Sequence, residues 1–335
     1  MKCYLCPRKC GVDREVSAGF CGVGNDIIVG NVGIHKWEEP IIGGSGGSGA
    51  VFFCGCNLRC VYCQNFEISH GEFSRFFCGA ESSETFSSGH AFRTEPSGMR
   101  ISLKPVGYKV SSEEIAEKLV EMQLNGAECA DFVTPTHYSD KITEIVSEAR
   151  KRGLTVPVVY NCGGYEDCET LKKLEDFVDV YLPDFKYADG ELSRRLSGAR
   201  DYPEVALKAI TEMKRQKKDV IGNGKMKSGV LIRHLVLPSL LNNSRKVLDL
   251  IKENFGTETY VSLMSQYFPP EIPIGEVCLN RKLTRLEKNR IEDYFFSLGF
   301  NNGFVQELCS ADKKYVPVWD GERKLRRKDN EMPVL

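Results

Sequence analysis

The sequence predicts an α/β chain, a partial (β/α)6 barrel with a small N-terminal cysteine-rich module. Three observations predict it. From residue 50 onward, strand-like and helix-like segments alternate, the pattern of βα units around a parallel sheet. Several strand segments are continuous Val, Ile, Leu and Phe runs, as expected for strands covered on both faces. Seven of the 14 cysteines fall in two tight groups near the N-terminus.

Composition sets the bounds. A chain of 335 residues suits one large domain with an appendage, or two domains, and 41% hydrophobic residues supply a core. A net charge of -1 gives no reason to expect nucleic acid as a partner. No apolar run reaches the ~18 residues of a membrane span. The chain opens without a basic-then-apolar leader and reaches Cys3 at once, which argues against export. In a reducing, cytoplasmic compartment, clustered cysteines read as metal ligands; a disulfide framework is the alternative.

Residues 1–48 form the expected cysteine-rich module, too short for a core without a metal staple. The run Gly43–Gly49 has the composition of a flexible linker. Its formal G-x-G-x-x-G leads into a strand rather than a helix, so it is no dinucleotide fingerprint. The barrel is expected over 49–300, with strands at 50–54, 130–134, 156–160, 178–182, 229–236 and 260–264. Ser111 and Glu114 make a capping box that opens a helix with Ile115, Leu119 and Met122 on one face. A second helix fits 139–152. Thr284 and Glu287 cap a third, running to about 298. Residues 67–109 are polar and aperiodic, an inserted loop. The extension 301–335 ends in charge and reads as solvated. In barrels of this type, active residues sit at the C-terminal ends of strands.

Cys56, Cys60 and Cys63 follow the first barrel strand with the spacing C-x3-C-x2-C. Structural zinc sites and ordinary electron-transfer clusters take four protein ligands. Three close cysteines without a matching fourth point to an iron–sulfur cluster with one iron left open; a structural zinc or simple redox centre is the alternative. Cys54 lies two residues earlier and reads as a buried packing residue. Cys3, Cys6, Cys10 and Cys21, spaced C-x2-C-x3-C-x10-C, make a complete four-thiol set for zinc or a second iron–sulfur cluster. The need for a nearby low-potential electron source favours iron–sulfur.

The C-x3-C-x2-C motif, with Tyr62 before its last cysteine, resembles that of radical S-adenosylmethionine (SAM) enzymes. The chain is similar to the pyruvate formate-lyase activating enzyme-like branch, in a subgroup with an N-terminal four-cysteine segment. The matching stretches are Cys6–Asp13, Glu38–Pro40, Cys56–Asn65, Phe132–Tyr138, Val159–Tyr165, Asp179–Lys186, Arg233–Pro238 and Leu263–Tyr267. The insertion departs from the compact subgroup pattern. It also lacks the paired cysteine clusters of some glycyl-radical activases.

The resemblance implies a 4Fe–4S cluster on Cys56, Cys60 and Cys63, whose open iron chelates the amino and carboxylate groups of SAM. One electron then cleaves SAM to methionine and a 5′-deoxyadenosyl radical, which takes a hydrogen atom from substrate. It also implies roles around the cofactor. Tyr62 packs on the adenine. Thr134 and Thr136 stand where many relatives carry a Gly-Gly-Glu turn, and so accept hydrogen bonds from the methionine amine without a carboxylate. His137 is a turn residue or a site residue. Asn161 holds a ribose hydroxyl. Asp184 and Lys186 form an ion pair, or Lys186 meets the SAM carboxylate, for which Arg233 is better suited by its bidentate guanidinium. Gln266 and Tyr267 face substrate.

The expected function is therefore a radical SAM oxidoreductase or activase acting on a protein glycine, another peptide or a small molecule. Its expected electron donor is a flavodoxin or ferredoxin. An iron–sulfur electron-transfer or metal-binding protein without SAM chemistry is the competing class. A SAM-dependent methyltransferase would need a glycine-rich turn where the cysteine loop stands. A hydrolase has no nucleophile elbow, and the five histidines are scattered.

Overall fold

A computed structural model describes residues 2–70, 107–270, 275, 277–306, 308 and 319. Most of the expected 67–109 insertion and most of the C-terminal extension lie outside the described residues. In chain order the elements are β1 (Ile27–His35), α1 (Pro40–Gly43), β2 (Ser48–Phe53), α2 (Phe66–Ser69), β3 (Tyr108–Val110), α3 (Ser112–Leu124) and β4 (Ala130–Val133). Next come α4 (Ser139–Lys151), β5 (Val158–Cys162), α5 (Cys168–Lys173), β6 (Val180–Pro183), α6 (Gly190–Ser197) and α7 (Tyr202–Gln216). The chain continues with β7 (Val220–Gly222), β8 (Lys225–Leu235), α8 (Leu241–Phe255), β9 (Tyr260–Met264), α9 (Arg285–Ser297) and β10 (Gly303–Val305).

The sheet runs β10-β9-β8-β6-β5-β4-β2-β1-β3. From β2 to β10 every pairing along this path is parallel, and β1 and β3 add antiparallel strands at one edge. The path ends at β3 and β10, so the cylinder is open, as the alternating pattern predicts. All six expected barrel strands are present, as β2, β4, β5, β6, β8 and β9, the third and fourth starting two residues later than expected. Both capping boxes form: Ser111 Oγ accepts from Glu114 N–H at 3.1 Å, and Thr284 Oγ1 from Glu287 N–H at 3.2 Å.

The structure differs from expectation around residue 48. β1 pairs with β2 over Val29–His35 and with β3 over Ile27–Val29, so a strand from within the expected module belongs to the barrel's sheet. The glycine run is a packed turn rather than a linker. The Gly46 N–H donates to Glu128 Oε1 at 2.9 Å, and a Cβ on Gly46 would sit 2.0 Å from the Gly126 carbonyl oxygen. Composition alone misses this, because closeness between backbones excludes a side chain as firmly as flexibility tolerates its absence.

The two faces of the sheet carry separate cores. Phe132, Tyr160, Tyr181 and Ile232 pack under the helices, while Val159, Val180, Leu182 and Leu231 pack inside the barrel against Ile41 and Ile42 of α1. α1 thus plugs the barrel, Pro40 opening it where a missing N–H costs nothing. Towards the strands' C-terminal ends the inner face turns polar. Asp131, Asn161 and Arg233 meet Glu38 and Glu39 from the β1–α1 connection. Arg233 donates to Glu38 Oε1 at 3.4 Å, and Asn161 Nδ2 to Glu38 Oε2 at 3.3 Å and to Asp131 Oδ2 at 3.4 Å. Glu39 Oε2 and Asp131 Oδ1 have no hydrogen-bond partner among the described residues. Burial raises the carboxyls of Glu38 and Glu39 and pushes Asp131 up to about 6.

Two outcomes follow. A group whose folded pKa is raised binds more protons folded than unfolded, so its stabilisation is lost as pH rises. Urea midpoints of the wild type should fall relative to Asp131→Asn between about pH 4 and about pH 6, and parallel curves would show that folding does not raise the Asp131 carboxyl. Gly46→Ala should cost roughly 1–3 kcal/mol in the same assay.

Candidate metal and cofactor site

β2 carries the chain to the barrel mouth, where Gly55 turns it at φ 85°. A Cβ there would meet the Cys21 carbonyl oxygen at 2.6 Å, so glycine alone fits both the dihedral and the space. The following loop docks on the end of α6: the N–H groups of Arg59 and Val61 donate to the carbonyls of Ser197 and Leu196 at 3.2 and 2.9 Å. This places Cys56, Cys60 and Cys63 side by side. Burial raises all three thiols; Cys56 and Cys63 are raised further by neighbouring thiols, and Lys186 opposes the rise at each. Only a cation of higher charge makes three such thiolates stable together.

Each thiol has a polar neighbour. The Leu58 N–H donates to Cys56 Sγ at 3.3 Å and Ser69 Oγ to Cys63 Sγ at 3.2 Å. Cys60 Sγ lies 3.0 Å from Ser197 Oγ, which is 2.6 Å from Tyr187 Oη, itself 2.6 Å from Tyr62 Oη. A thiolate only accepts, so with Cys60 ionised this chain is directed: Tyr62 to Tyr187 to Ser197 to Cys60. Burial raises the Cys54 thiol, and a Cβ on Gly107 would lie 2.6 Å from its Sγ.

The remaining expected residues divide. Lys186 and Asp184 form an ion pair, and Asp184 also accepts from Arg233 Nε at 3.2 Å. Burial works against the Asp184 carboxylate, but Lys186 and Arg233 outweigh it and hold it below its usual range. Arg233 also donates to Asn161 Oδ1 and sits in the carboxylate layer. Its forked donors are thus taken up by Asp184, Glu38 and Asn161. Lys186, not Arg233, is the cation that all three thiols feel. Arg233, expected as the carboxylate ligand, thus stands in this structure among protein partners.

Thr134 ends β4 at φ 59°. A β-branched residue is strained there, by about 1–3 kcal/mol, and such strain concentrates at functional sites. Thr136 is turned elsewhere: its buried hydroxyl donates to Glu166 Oε1 at 2.7 Å, beside Tyr160, whose hydroxyl donates to Glu166 Oε2 at 3.1 Å. The hydroxyl expected to accept from the methionine amine thus spends its proton on Glu166. His137 Nε2–H donates to the Cys54 carbonyl at 2.8 Å, and burial lowers its pKa to about 3, so it is a neutral brace beneath the loop. Tyr62 is buried with its ring 6.1 Å from that of Tyr267. Gln266 accepts from Gln64 Nε2 through its carbonyl at 3.1 Å, and Tyr267 Oη donates to the Leu279 carbonyl at 2.6 Å.

Sequence reasoning missed Glu38, Glu39, Asp131, Tyr187 and Ser197. Glu38 and Glu39 lay within a matching stretch without a role, and the Asp131 signal was a lone carboxylate inside an apolar strand.

Cys3, Cys6, Cys10 and Cys21 also come together. Cys21 feels the charges of Cys3 and Cys10, and Cys6 those of Cys21 and Cys3. Among the described residues, no three His, Cys, Asp or Glu side chains surround a single-ion position. A 4Fe–4S cluster places its ligands on separate irons, and the trio's soft, mutually close thiols beside one ammonium fit that group. No helix among the described residues is long and apolar enough to cross a membrane.

Comparison with known proteins adds the family. Residues 50–251 match the model of the radical SAM superfamily. The chain is 28% identical over 285 residues to a Methanocaldococcus jannaschii protein named "Uncharacterized protein MJ0674", covering 84% of this chain and 70% of that one. Among solved structures it is similar to Streptococcus suis SuiB bound to S-adenosylmethionine, at TM-score 0.45 and 14% identity over 76% of this chain. The chain spans about half the length of SuiB, 49%. A domain of pyruvate-formate lyase-activating enzyme from Bacteroides vulgatus matches 51% of this chain and 92% of its own, at TM-score 0.37 and 11% identity. With the matched region beginning in β2 and running through the cysteine loop into α8, the chain belongs to the radical SAM superfamily.

Proposed function

We propose that this protein reductively cleaves S-adenosylmethionine at a 4Fe–4S cluster held by Cys56, Cys60 and Cys63, and uses the resulting radical to take a hydrogen atom from a substrate. The observation that carries the reading is the trio itself: three buried thiols that feel one another at the mouth of a parallel barrel, with the Lys186–Asp184 ion pair beside them. When bound, the cluster supplies the single electron that the sulfonium accepts.

The chain's own residues do the positioning. Lys186 and Asp184 present a donor and an acceptor side by side, complementary to the carboxylate and amine of an α-amino acid. Lys186 donates to the carboxylate and Asp184 accepts from an amine N–H, which leaves the nitrogen lone pair for the open iron and supplies the acidic partner that the Thr134-Pro135-Thr136 turn lacks. Asn161 is held by Arg233 near the ribose side, and Tyr62 meets the adenine with the ring edge left by its contacts to Tyr187 and Tyr267. The Tyr62–Tyr187–Ser197 chain stabilises the Cys60 thiolate and so tunes the cluster. The substrate is a protein, peptide or small molecule, a glycine of a partner protein being one such target. A flavodoxin or ferredoxin is the electron donor.

Anaerobic protein reconstituted with iron and sulfide and reduced with dithionite should release 5′-deoxyadenosine from S-adenosylmethionine; Cys56→Ala/Cys60→Ala/Cys63→Ala should release none. Product formed equally by both would remove the trio from the chemistry, and none from either would leave an electron-transfer protein. Lys186→Ala should weaken binding of S-adenosylmethionine by about 10- to 100-fold, the loss of one charge-assisted hydrogen bond, while retaining the trio's iron. Unchanged affinity would return the carboxylate to Arg233.

A further inference from the structure

We infer that Cys3, Cys6, Cys10 and Cys21 hold a second iron–sulfur cluster, built directly onto the cysteine trio and exchanging electrons with the cluster there. The inference rests on the trio being a cluster site, as proposed above, for its electronic half; the metal site itself stands on the N-terminal residues alone.

Residues 2–26 have almost no core. Their buried apolar side chains are Cys6, Cys21 and Val23, and their only strand pairing is the Lys2–Asp13 bridge. A segment so poor in burial needs a staple, and none of the four cysteines is paired in a disulfide. Local backbone bonds nonetheless set the thiols in place. The Cys3 N–H donates to the Val12 carbonyl at 2.8 Å, the Gly11 N–H to the Cys3 carbonyl at 3.0 Å, and the Lys9 N–H to the Cys6 carbonyl at 3.0 Å. Gly19 leaves a cradle between two of them: a Cβ there would lie 3.1 Å from Cys10 Sγ and 3.6 Å from Cys21 Sγ. Cys10 and Cys21 flank that cradle, Cys21 feels the charges of Cys3 and Cys10, and Cys6 those of Cys21 and Cys3, which makes a soft four-thiol donor set for zinc or iron–sulfur.

Position decides between the two metals. The Cys56 N–H donates to the Cys21 carbonyl at 3.2 Å, so a ligand of one set is hydrogen-bonded to a ligand of the other. Two arginines tie the same loops from opposite directions. Arg59, within the trio's loop, donates to the Phe20 carbonyl at 2.6 Å, and Arg8, within the N-terminal set, donates from Nε to the Asn57 carbonyl at 2.9 Å. A structural zinc has no use for such a junction; a one-electron carrier does.

The redox step balances simply. A ferredoxin- or flavodoxin-class donor gives one electron, taking the N-terminal 4Fe–4S core from 2+ to 1+. Passing it to the trio's cluster returns the N-terminal core to 2+. No bond is made or broken, and no proton moves.

The test uses the full chain, reconstituted anaerobically with iron and sulfide. Cys56→Ala/Cys60→Ala/Cys63→Ala should retain about four irons and four sulfides per chain and show a reduced-cluster EPR signal with dithionite. Cys6→Ala/Cys10→Ala should retain the trio's iron alone. Gly19→Val, which removes no ligand, should lose the same iron as that double variant with its circular dichroism intact. The wild type should hold about eight irons, with an EPR spectrum broadened by coupling between the two spins. Zinc or no metal in the triple variant, or full iron in Gly19→Val, overturns the site. A wild-type spectrum equal to the sum of the variants' spectra overturns the electronic contact. Iron in the double variant but none in the triple condemns this inference alone. Iron in the triple but none in the double condemns the trio, and the electronic half of the inference with it.

Discussion

Three thiols buried within reach of one another can share a site only as neutral groups or as ligands to a strong cation. Burial and mutual charge push them away from ionisation, and one ammonium, Lys186, pulls the other way without sufficing. Much of the barrel mouth serves that constraint. Gly55 makes the turn, α6 holds the loop, Ser69 and Ser197 aim hydroxyls at sulfur, and His137 braces the backbone beneath.

Below the mouth, the inner face of the barrel is graded by layer. Aliphatic side chains from β5, β6 and β8 close on the α1 plug, and above them Arg233 is ringed by Glu38, Asp131 and Asp184. Breaking one member of such a buried network strands the others, which makes the layer rigid. The ends of the ring differ. Asp184 is held ionised by Lys186 and Arg233, whereas Glu39 is buried and raised far above the carboxylate range. The ion pair thus sits near the thiols, and the carboxyls that burial raises lie deeper.

Much of this was legible in the residues. The βα alternation is a local signal repeated six times, so all six barrel strands and both capping boxes could be read. The trio is legible because its ligands are close in sequence. What escaped depends on tertiary closeness. β1 hides in a segment dominated by its cysteines, and Glu38 and Asp131 are 93 positions apart yet share one asparagine. Thr136 was placed on the right turn but faces away from the mouth, because a 3-10 turn after β4 swings it onto Glu166. Arg233 was judged by its donor geometry before its acidic neighbours were known.

The central claim is an iron that the protein leaves open at Cys56, Cys60 and Cys63. It is tested most directly by the EPR spectrum of the reduced Cys6→Ala/Cys10→Ala protein before and after addition of S-adenosylmethionine. Binding at an open iron predicts a changed set of g-values. A spectrum unmoved by saturating S-adenosylmethionine would contradict the account.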